Sequence, residues 1–286
     1  GDIPATLSRC SQLVALRLGF NPLSGSIPRD LGLLTDLQHL SLFTANLQGT
    51  VPVELCNCTQ MLFFDVGWMY GDQLFDFLPP DYPQSWGLTG TIPDCFSRMA
   101  SLQTLAWPAN HLEGGFPQKA LQNLTQLQHL DLSYCSLDSD LPTGFNWSAF
   151  PDLEYLSLKG NSLRGAIPAQ IGQLTNLTTL ALDENKLHGP IPPELGALSK
   201  LTYLGLSQNH FQGNLPNVLN NLTNVVTFRL SQNNLTGEIE GFDLSKMPNL
   251  QAFSAYGNAF HGGLPDGLTE HQELIIFDVQ RNTYLT

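Results

Sequence analysis

The sequence has few charged residues, and basic residues are scarcer still. Of its 286 residues 13% are charged, about half the usual share for a soluble domain, and 12 Lys and Arg stand against 25 Asp and Glu. The net charge of −13 leaves no basic stripe that would neutralise phosphates or anionic lipid headgroups. The composition therefore argues against nucleic acid as a partner and disfavours docking on a membrane surface.

Long apolar runs are also missing. No stretch of 18 or more apolar residues occurs, so we expect no direct membrane insertion by this segment, and no charged-then-apolar signal segment opens it. Its first residues, GDIPATLSRCSQL, match the tail of a repeating unit, and its last, FDVQRNTYLT, stop partway through one. We therefore expect a fragment of a larger protein.

What the sequence does contain is a repeat of 24 to 26 residues. Two clear units are LTTLALDENKLHGPIPPELGALSK (177–200) and LTYLGLSQNHFQGNLPNVLNNLTN (201–224). Nine of the ten intervals between units keep this length, and the tenth, from Met61 to Leu102, is 41 residues. Eleven units share the frame, and they start at Leu13, Leu37, Met61, Leu102, Leu127, Leu153, Leu177, Leu201, Val225, Leu250 and Leu274.

Each part of the unit, LxxLxLxxNxLxGxIPxxLGxLxx, has a physical role. The LxL core alternates apolar and polar residues, which is typical of a short strand with one buried face. The Asn amide can bond backbone groups of its own and neighbouring coils, Gly permits a positive φ, and Pro keeps the chain extended. Eight units have the asparagine, as Asn21, Asn110, Asn161, Asn185, Asn209, Asn233, Asn258 and Asn282.

This pattern is that of the leucine-rich repeat. Its LxGxIP half resembles the plant-specific subclass found in receptor-like kinase ectodomains and polygalacturonase-inhibiting proteins. The resemblance implies a β-rich α/β repeat: a right-handed solenoid of about 11 coils, with a parallel concave sheet and 3₁₀ or extended segments on the convex side. Because the family's paired cysteine caps are absent, we expect one uncapped domain over residues 1–286.

The five cysteines suggest three roles. Cys10 and Cys58 each precede a repeat start where other units have an apolar residue, so both are predicted to be core residues. Cys135 replaces the ladder asparagine and is predicted to be structural. Cys56 and Cys95 fall at nearly the same phase of successive coils, where a disulfide would clamp the coils that bracket the long interval. Sequence alone leaves this connectivity open.

Asn-x-Ser/Thr sequons are frequent, in part because the repeat phrase NLT generates them. One interpretation is consensus sequence; the other is a glycoprotein of the secretory pathway, located outside the cell or at its surface. The family resemblance favours the second interpretation. The six candidate sites are Asn57, Asn123, Asn146, Asn176, Asn221 and Asn234.

The third, fifth, seventh and eighth positions of LxxLxLxxN are expected to point out of the sheet. In the early coils these positions carry Phe20, Phe43, Phe63 and Trp68, which we predict to form an exposed apolar track suited to recognition. The predicted set of ligand or partner contacts is Phe20, His39, Phe43, Phe63, Asp65, Trp68, Tyr70, His129, Asp131, Tyr134 and Tyr155.

The long interval contains an insertion at 69–87, MYGDQLFDFLPPDYPQSWG, which is aromatic and acidic and lacks the repeat pattern. It resembles the island segments that interrupt some receptor-kinase ectodomains and contribute to ligand pockets. Alternatively, it is a loop that covers a bare patch of core. Both interpretations stay open at the level of sequence.

Catalysis has little support in the sequence. Asp65 and Asp131 share one outward position two coils apart, near the spacing of an inverting glycosidase pair, but we expect both carboxylates to be solvated with ordinary pKa values. No phosphate loop or nucleophile elbow occurs, and the histidines and cysteines lack metal-site spacing. We therefore expect no enzyme activity, no cofactor and no metal site.

Three functions are consistent with these features. The leading hypothesis is an extracellular module that binds a protein, peptide or glycan on its concave face and insertion. The second is a structural component of a cell-surface or cell-wall assembly, joined through the flanks that the fragment lacks. The third, inhibition of a secreted wall-degrading hydrolase, follows only from the resemblance to polygalacturonase inhibitors.

Overall fold

Short strands recur with the period of the sequence repeat. The computed structural model describes residues 1–68, 87–282 and 284–285, and the chain divides into two compact units, 1–137 and 138–286. Residues 69–86 of the predicted insertion lie outside the described residues. A single solenoid over the whole chain stays a prediction, and each unit is described by itself.

In the first unit, a main sheet of five parallel strands takes one strand from each coil. The described strands are β1 (Ala15–Arg17), β2 (His39–Ser41), β3 (Phe63–Asp65), β4 (Thr89–Gly90), β5 (Thr104–Ala106), β6 (His111–Leu112) and β7 (His129–Asp131). The main sheet has the order β1-β2-β3-β5-β7, while β4 and β6 pair separately. Each LxL core of this unit therefore forms the strand that its alternation predicts.

The second unit repeats this arrangement and adds a longer side sheet. Its described strands are β8 (Tyr155–Ser157), β9 (Thr179–Ala181), β10 (His188–Gly189), β11 (Tyr203–Gly205), β12 (His210–Asn214), β13 (Thr227–Arg229), β14 (Asn234–Glu238), β15 (Ala252–Ser254), β16 (Ala259–Gly262), β17 (Ile276–Asp278) and β18 (Tyr284–Leu285). The main sheet contains β8, β9, β11, β13, β15 and β17, and the side sheet contains β10, β12, β14, β16 and β18. The sequence analysis did not predict the side sheet.

The side of each coil opposite the main sheet is built from short helical turns, as the family resemblance implies. Most begin directly after a proline, whose extended backbone leads into the turn. The 3₁₀ helices in the described residues are Ala5–Arg9, Arg29–Leu33, Val53–Asn57, Asp94–Arg98, Trp147–Ala149, Ala169–Gln173, Pro193–Ala197, Asn217–Asn221, Leu244–Lys246 and Leu268–Glu270. In the coil that follows Asp94–Arg98, the α-helix Gln118–Leu121 takes the place of a 3₁₀ helix. The predicted leucine-rich-repeat fold class is confirmed.

The two sheets of the second unit differ in register. In the main sheet Thr179 pairs with Tyr203, its counterpart in the next repeat. In the side sheet His188 pairs with His210, two residues before its repeat counterpart Gln212. Side-sheet neighbours therefore cannot be found by aligning the repeats.

The ladder asparagines bond their own and the preceding coil, as predicted. The Asn209 amide donates to Leu182 O of the preceding coil at 2.9 Å and to Leu206 O of its own coil at 3.3 Å. Its Oδ1 accepts a bond from Leu187 N at 3.0 Å. Each such side chain satisfies backbone groups that would otherwise be buried without partners. Asn21 is exposed and bonds only carbonyls of its own coil.

The residue before the ladder position has a left-handed backbone in most coils. Thr44, Glu184 and Gln208 have φ of 56°, 59° and 56°, and Gly160 and Gly257 take the same place in two other coils. Hydrogen bonds to the following coil hold this conformation, as from Glu184 N to Ser207 O at 2.9 Å. The sequence pattern gave no sign of this feature outside the two glycines.

Cys56 and Cys95 form a disulfide in the first unit, with their Cα atoms 5.8 Å apart. Cys56 occupies a position that is glycine in other coils, such as Gly172. A Cβ on Gly172 would collide with the backbone carbonyl of Glu194 in the next coil. Adjacent coils therefore approach closely at this position, which explains why a cysteine here reaches a cysteine in the next coil.

The three remaining cysteines are free, and one departs from expectation. Cys58 and Cys135 are buried as predicted, and their thiols lie 3.2 Å from Leu34 O and 3.1 Å from Trp107 O. Cys10 is exposed, so its assignment to the core is wrong. The physical reason is that the preceding coil covers Cys58, whereas Cys10 lies in the first coil of the described chain.

Candidate functional site

The outer surface of the main sheet in the first unit carries paired aromatic rings. We call Phe20, His39, Phe43, Phe63 and Trp68 the aromatic face. Phe20 and Phe43 pack edge to face with their centroids 4.5 Å apart, and His39 lies 6.1 Å from Phe63. His39 and Phe63 are direct partners on β2 and β3, so the register of the sheet brings them together.

The aromatic face is less exposed than the sequence analysis expected. Phe20 is 74% exposed, but Phe43, Phe63 and Trp68 are half-buried, so the predicted apolar track is fully exposed only at Phe20. Phe43 packs against Phe20, and Phe63 lies beside His39, so each of these two rings is covered in part by the coil before it. The backbone of Trp68 is also fixed, because its N–H donates to Pro108 O at 2.9 Å.

Two carboxyl groups at the ends of main-sheet strands in the first unit are buried. Asp65 on β3 and Asp131 on β7 are 1% and 7% exposed, so the expectation of solvated carboxylates is wrong. Both occupy the last residue of their strands, with Ala106 between them in the register. Small or polar residues at this position are covered by the larger side chains that flank them.

The environment of Asp65 favours its neutral form. Burial raises the pKa of Asp65 to about 7, and the negative charge of Asp131 acts in the same direction, while the hydrogen bond from Gly67 N opposes both. Oδ1 accepts that bond at 3.0 Å, and Oδ2 is buried with no hydrogen-bond partner among the residues that the structure describes. The group is therefore mainly protonated in mildly acidic solution.

Asp131 and His129 differ from Asp65 in their surroundings. Asp131 Oδ1 accepts bonds from Ser133 N at 2.9 Å and Ser133 Oγ at 2.6 Å. Burial lowers the pKa of His129 to about 4, so its imidazole is neutral near neutral pH. The main sheet of the first unit thus carries the neutral imidazole of His129 and two buried carboxyl groups, of Asp65 and Asp131, that accept hydrogen bonds from different donors.

Two further predicted contact residues, Tyr134 and Tyr155, belong to different units. Tyr134, half-buried, belongs to the first unit, and Tyr155, also half-buried, lies on β8 of the second unit. Tyr70 lies outside the described residues. Of the sequons, Asn57, Asn123, Asn146, Asn221 and Asn234 are exposed, whereas Asn176 is half-buried. The Asn176 amide donates to Pro151 O at 2.8 Å.

A second candidate surface, which the sequence analysis did not select, lies on the main sheet of the second unit. It is a concavity of about 290 Å³ that Lys159, Asp183, Glu184 and Arg229 help to line. Lys159 is 7% exposed and pairs with Glu184 at 3.5 Å. The Arg229 guanidinium lies 5.8 Å from the centre of the Tyr203 ring.

Asp183 is the buried centre of this charged group. Burial raises the pKa of Asp183 to about 6, against the opposing effects of Lys159, the Ser207 N–H and Arg229. Its Oδ1 accepts a bond from Ser207 N at 3.0 Å, and Tyr203 Oη lies 3.4 Å from Oδ2. The repeat pattern predicts that these positions point out of the sheet. It does not predict which of their side chains contact one another across coils, because those contacts join different repeats.

Within the described residues, no group of three or more His, Cys, Asp or Glu side chains is placed to hold a metal ion. No helix in the described ranges is long and apolar enough to cross a membrane. The surfaces that remain for recognition are the aromatic face of the first unit and the charged concavity of the second.

Comparisons with known proteins agree with the fold. A leucine-rich-repeat family model matches residues 151–211, and a second leucine-rich-repeat model matches residues 126–147. Receptor-like protein kinase 7 of Arabidopsis thaliana is 28% identical over 174 residues, which cover 60% of this chain and 16% of that protein. The chain therefore spans a small part of this relative.

Solved receptor structures match almost the whole chain. The plant peptide hormone receptor RGFR1 in complex with RGF2 has a TM-score of 0.87 and 31% identity, covering 99% of this chain and 42% of that one. The ectodomain of the membrane receptor kinase GASSHO1/SCHENGEN3 of Arabidopsis thaliana, in complex with CASPARIAN STRIP INTEGRITY FACTOR 2, has a TM-score of 0.86 and 30% identity. That match covers 99% of this chain and 32% of the ectodomain.

Proposed function

Because the chain belongs to the plant receptor-like class of leucine-rich-repeat proteins, we propose that it is an extracellular module that binds a peptide or protein partner on the aromatic face. The observation that carries this proposal is the packing of Phe20 on Phe43 and of His39 beside Phe63 on adjacent strands. Partly exposed aromatic rings held by a rigid sheet are effective anchors, because little side-chain entropy is lost on binding.

The related receptors support this choice of partner. RGFR1 is described as a peptide hormone receptor in complex with RGF2, and the GASSHO1/SCHENGEN3 ectodomain is described in complex with CASPARIAN STRIP INTEGRITY FACTOR 2. These facts belong to those proteins, and each is longer than the present chain. For this chain, the proposal is a peptide or protein ligand that places apolar side chains against the aromatic face, next to the insertion at 69–87.

The proposal also includes an extracellular location and a function without catalysis. We place the protein outside the cell or at its surface, with N-glycans on the exposed sequon asparagines Asn57, Asn123, Asn146, Asn221 and Asn234. It acts by binding and not by catalysis. A mass decrease on endoglycosidase treatment of protein secreted from plant cells would test the glycan assignment.

The binding proposal is tested with a panel of synthetic secreted peptides, followed by calorimetric titration of each peptide that binds. Replacing Phe43, Phe63 and Trp68 together with Ala should abolish binding, with circular dichroism used to verify that the fold remains. The matched control replaces Leu33 and Val53 with Ala, since both are large, exposed and on the helical side of the same unit. This control should bind as the wild type does.

Two results would contradict the proposal. Unchanged affinity in the triple variant would show that the aromatic face is not the site. Absence of peptide binding, together with concentration-dependent self-association in light scattering, would instead support the structural hypothesis.

A further inference from the structure

Two histidines far apart in the sequence lie side by side on the side sheet of the second unit. His188 on β10 and His210 on β12 are direct partners in the parallel register. Partners on adjacent strands lie about 4.8 Å apart in the backbone and project their side chains to the same face. Both side chains are exposed.

The backbone under this pair is fixed by the sheet. His188 N donates to Gly165 O at 2.9 Å, and His210 N donates to Leu187 O at 2.7 Å. A ladder asparagine also fixes the residue before β10, because Asn209 Oδ1 accepts a hydrogen bond from Leu187 N at 3.0 Å. Sites built on such strands keep their geometry better than sites on loops.

The two imidazoles are available as ligands. Within the described part of the chain, neither ring forms a hydrogen bond or an ion pair. Other histidines differ: His39 lies beside Phe63, and His271 Nε2 lies 2.9 Å from Met247 O. Neutral imidazole is a ligand that Cu²⁺, Ni²⁺ and Zn²⁺ accept readily.

We infer that His188 and His210 together bind a divalent first-row transition ion, with Cu²⁺ held most tightly. Metal–nitrogen bonds of about 2.0–2.1 Å place two neighbouring ligand nitrogens about 3 Å apart. Rotation about the two side-chain torsions of each residue closes the gap from a backbone spacing of about 4.8 Å. The preference for Cu²⁺ follows from the general order of affinities for nitrogen ligands.

The surrounding charges limit the affinity without excluding the ion. The chain carries a net charge of −13, which attracts cations, whereas the exposed Lys186 lies two residues before His188. Arg164, in the coil before, is ion-paired with Asp138. With two protein ligands, water fills the other coordination positions, where a donor group from a partner would be able to bind.

Repeat alignment conceals this pair. It places His188 beside Gln212, and only the two-residue shift of the side sheet brings His188 next to His210. The expectation from sequence that no metal site exists therefore missed a pairing that the side sheet creates.

The test uses the tag-free protein and Cu²⁺ as the probe, with calorimetry for affinity and electron paramagnetic resonance to count nitrogen ligands. We expect one ion with a two-imidazole signature in the wild type. His188→Gln and His210→Gln should each weaken binding at least tenfold, and each should leave at most one imidazole.

The matched control is His261→Gln, since His261 is exposed on the same sheet and its strand partner on β14 is Glu238. This variant should bind Cu²⁺ as the wild type does. Because the replaced side chains are exposed, all variants should unfold at the wild-type temperature without metal. A one-imidazole signature in the wild type, or affinity within twofold of wild type in His188→Gln or His210→Gln, would overturn the assignment.

Discussion

Asp65 has a carboxyl group that the fold buries and only partly compensates. Its Oδ1 has one backbone donor, its Oδ2 has none within the described residues, and Asp131 adds a like charge to the same surface. Ionisation of Asp65 therefore works against the folded state. Protonation makes the floor beside Phe63 neutral, which suits the approach of apolar ligand groups.

This predicts a pH-dependent stability. Because burial raises the pKa of Asp65 to about 7, above an unfolded value of about 3.9, the folded state holds an extra proton between these pH values. Its contribution to stability is fully present below pH 4 and is lost as pH rises toward 7. Asp65→Asn should therefore unfold like the wild type at pH 4 but be more stable by about 4 kcal/mol at pH 8.

Chemical denaturation at both pH values checks this prediction. Asp278→Asn is the matched control, since Asp278 also ends a main-sheet strand and accepts a bond from Gln280 N at 3.1 Å. The control should not gain stability at pH 8. Equal stability of Asp65→Asn and wild type at pH 8 would show that the carboxyl group is better solvated than its burial indicates.

The free thiols should differ in reactivity. Burial raises the pKa of Cys58 to about 11 and raises the pKa of Cys135 further, so both remain protonated at neutral pH. Cys10 is exposed. Iodoacetamide should therefore label Cys10 in the native protein, and Cys58 and Cys135 only after unfolding, as measured by peptide mass spectrometry. Native labelling of Cys58 would contradict its burial.

At the scale of the coil, the ladder asparagine joins neighbouring elements. Asn209→Ala would remove the side-chain acceptor of the buried Leu187 N–H, whereas Leu182 O would keep the bond from Asn185 Nδ2 at 3.1 Å. A buried donor left unpaired costs about 1–3 kcal/mol, so we expect a destabilisation of about 2 kcal/mol in urea. Asn21→Ala, which removes only bonds within an exposed coil, should cost less than about 1 kcal/mol. Equal costs would contradict the inter-coil role.

The sequence predicts the main sheet well because an apolar residue recurs at the middle of each strand, where it must be buried in the core. Middle strand residues such as Leu40, Phe64 and Leu204 are buried in every main-sheet strand except β17, whose Phe277 is half-buried, and alternation reveals that requirement directly. The side sheet was not predicted, because its strands are positioned by backbone hydrogen bonds to the preceding coil, as from His210 N to Leu187 O. Their sequences lack the Leu-x-Leu pattern that identifies the main-sheet strands. The same limit applies to His188 and His210.

The candidate site was predicted in part. Aromatic residues at outward positions identified Phe20, Phe43 and Phe63, because outward positions follow from the strand period. Their burial, and that of Asp65, depends on contacts across coils that a single repeat does not contain. Glycine at three equivalents of Cys56, namely Gly32, Gly172 and Gly196, marks a close approach of coils and could have strengthened the disulfide hypothesis from sequence alone.

At the scale of the whole molecule, the disulfide should determine how firmly the first unit holds the coils that bracket the insertion. Cys56 and Cys95 are 39 residues apart, and closing a loop of that size in the unfolded chain corresponds to about 4 kcal/mol. Cys56→Ser with Cys95→Ser should lose about that much in urea denaturation. A loss below about 1 kcal/mol would show that packing alone fixes these coils.

The left-handed residue before each ladder position has consequences for how such a surface changes over evolution. Phenylalanine, threonine, tyrosine, glutamate, glutamine and arginine all occupy it, at Phe20, Thr44, Tyr134, Glu184, Gln208, Gln232 and Arg281. The backbone N–H there donates to a carbonyl of the following coil, as from Gln208 N to Ser231 O at 2.8 Å, so the identity of the side chain matters little for folding. Mutation at this position can thus alter specificity one residue at a time while the scaffold is inherited unchanged.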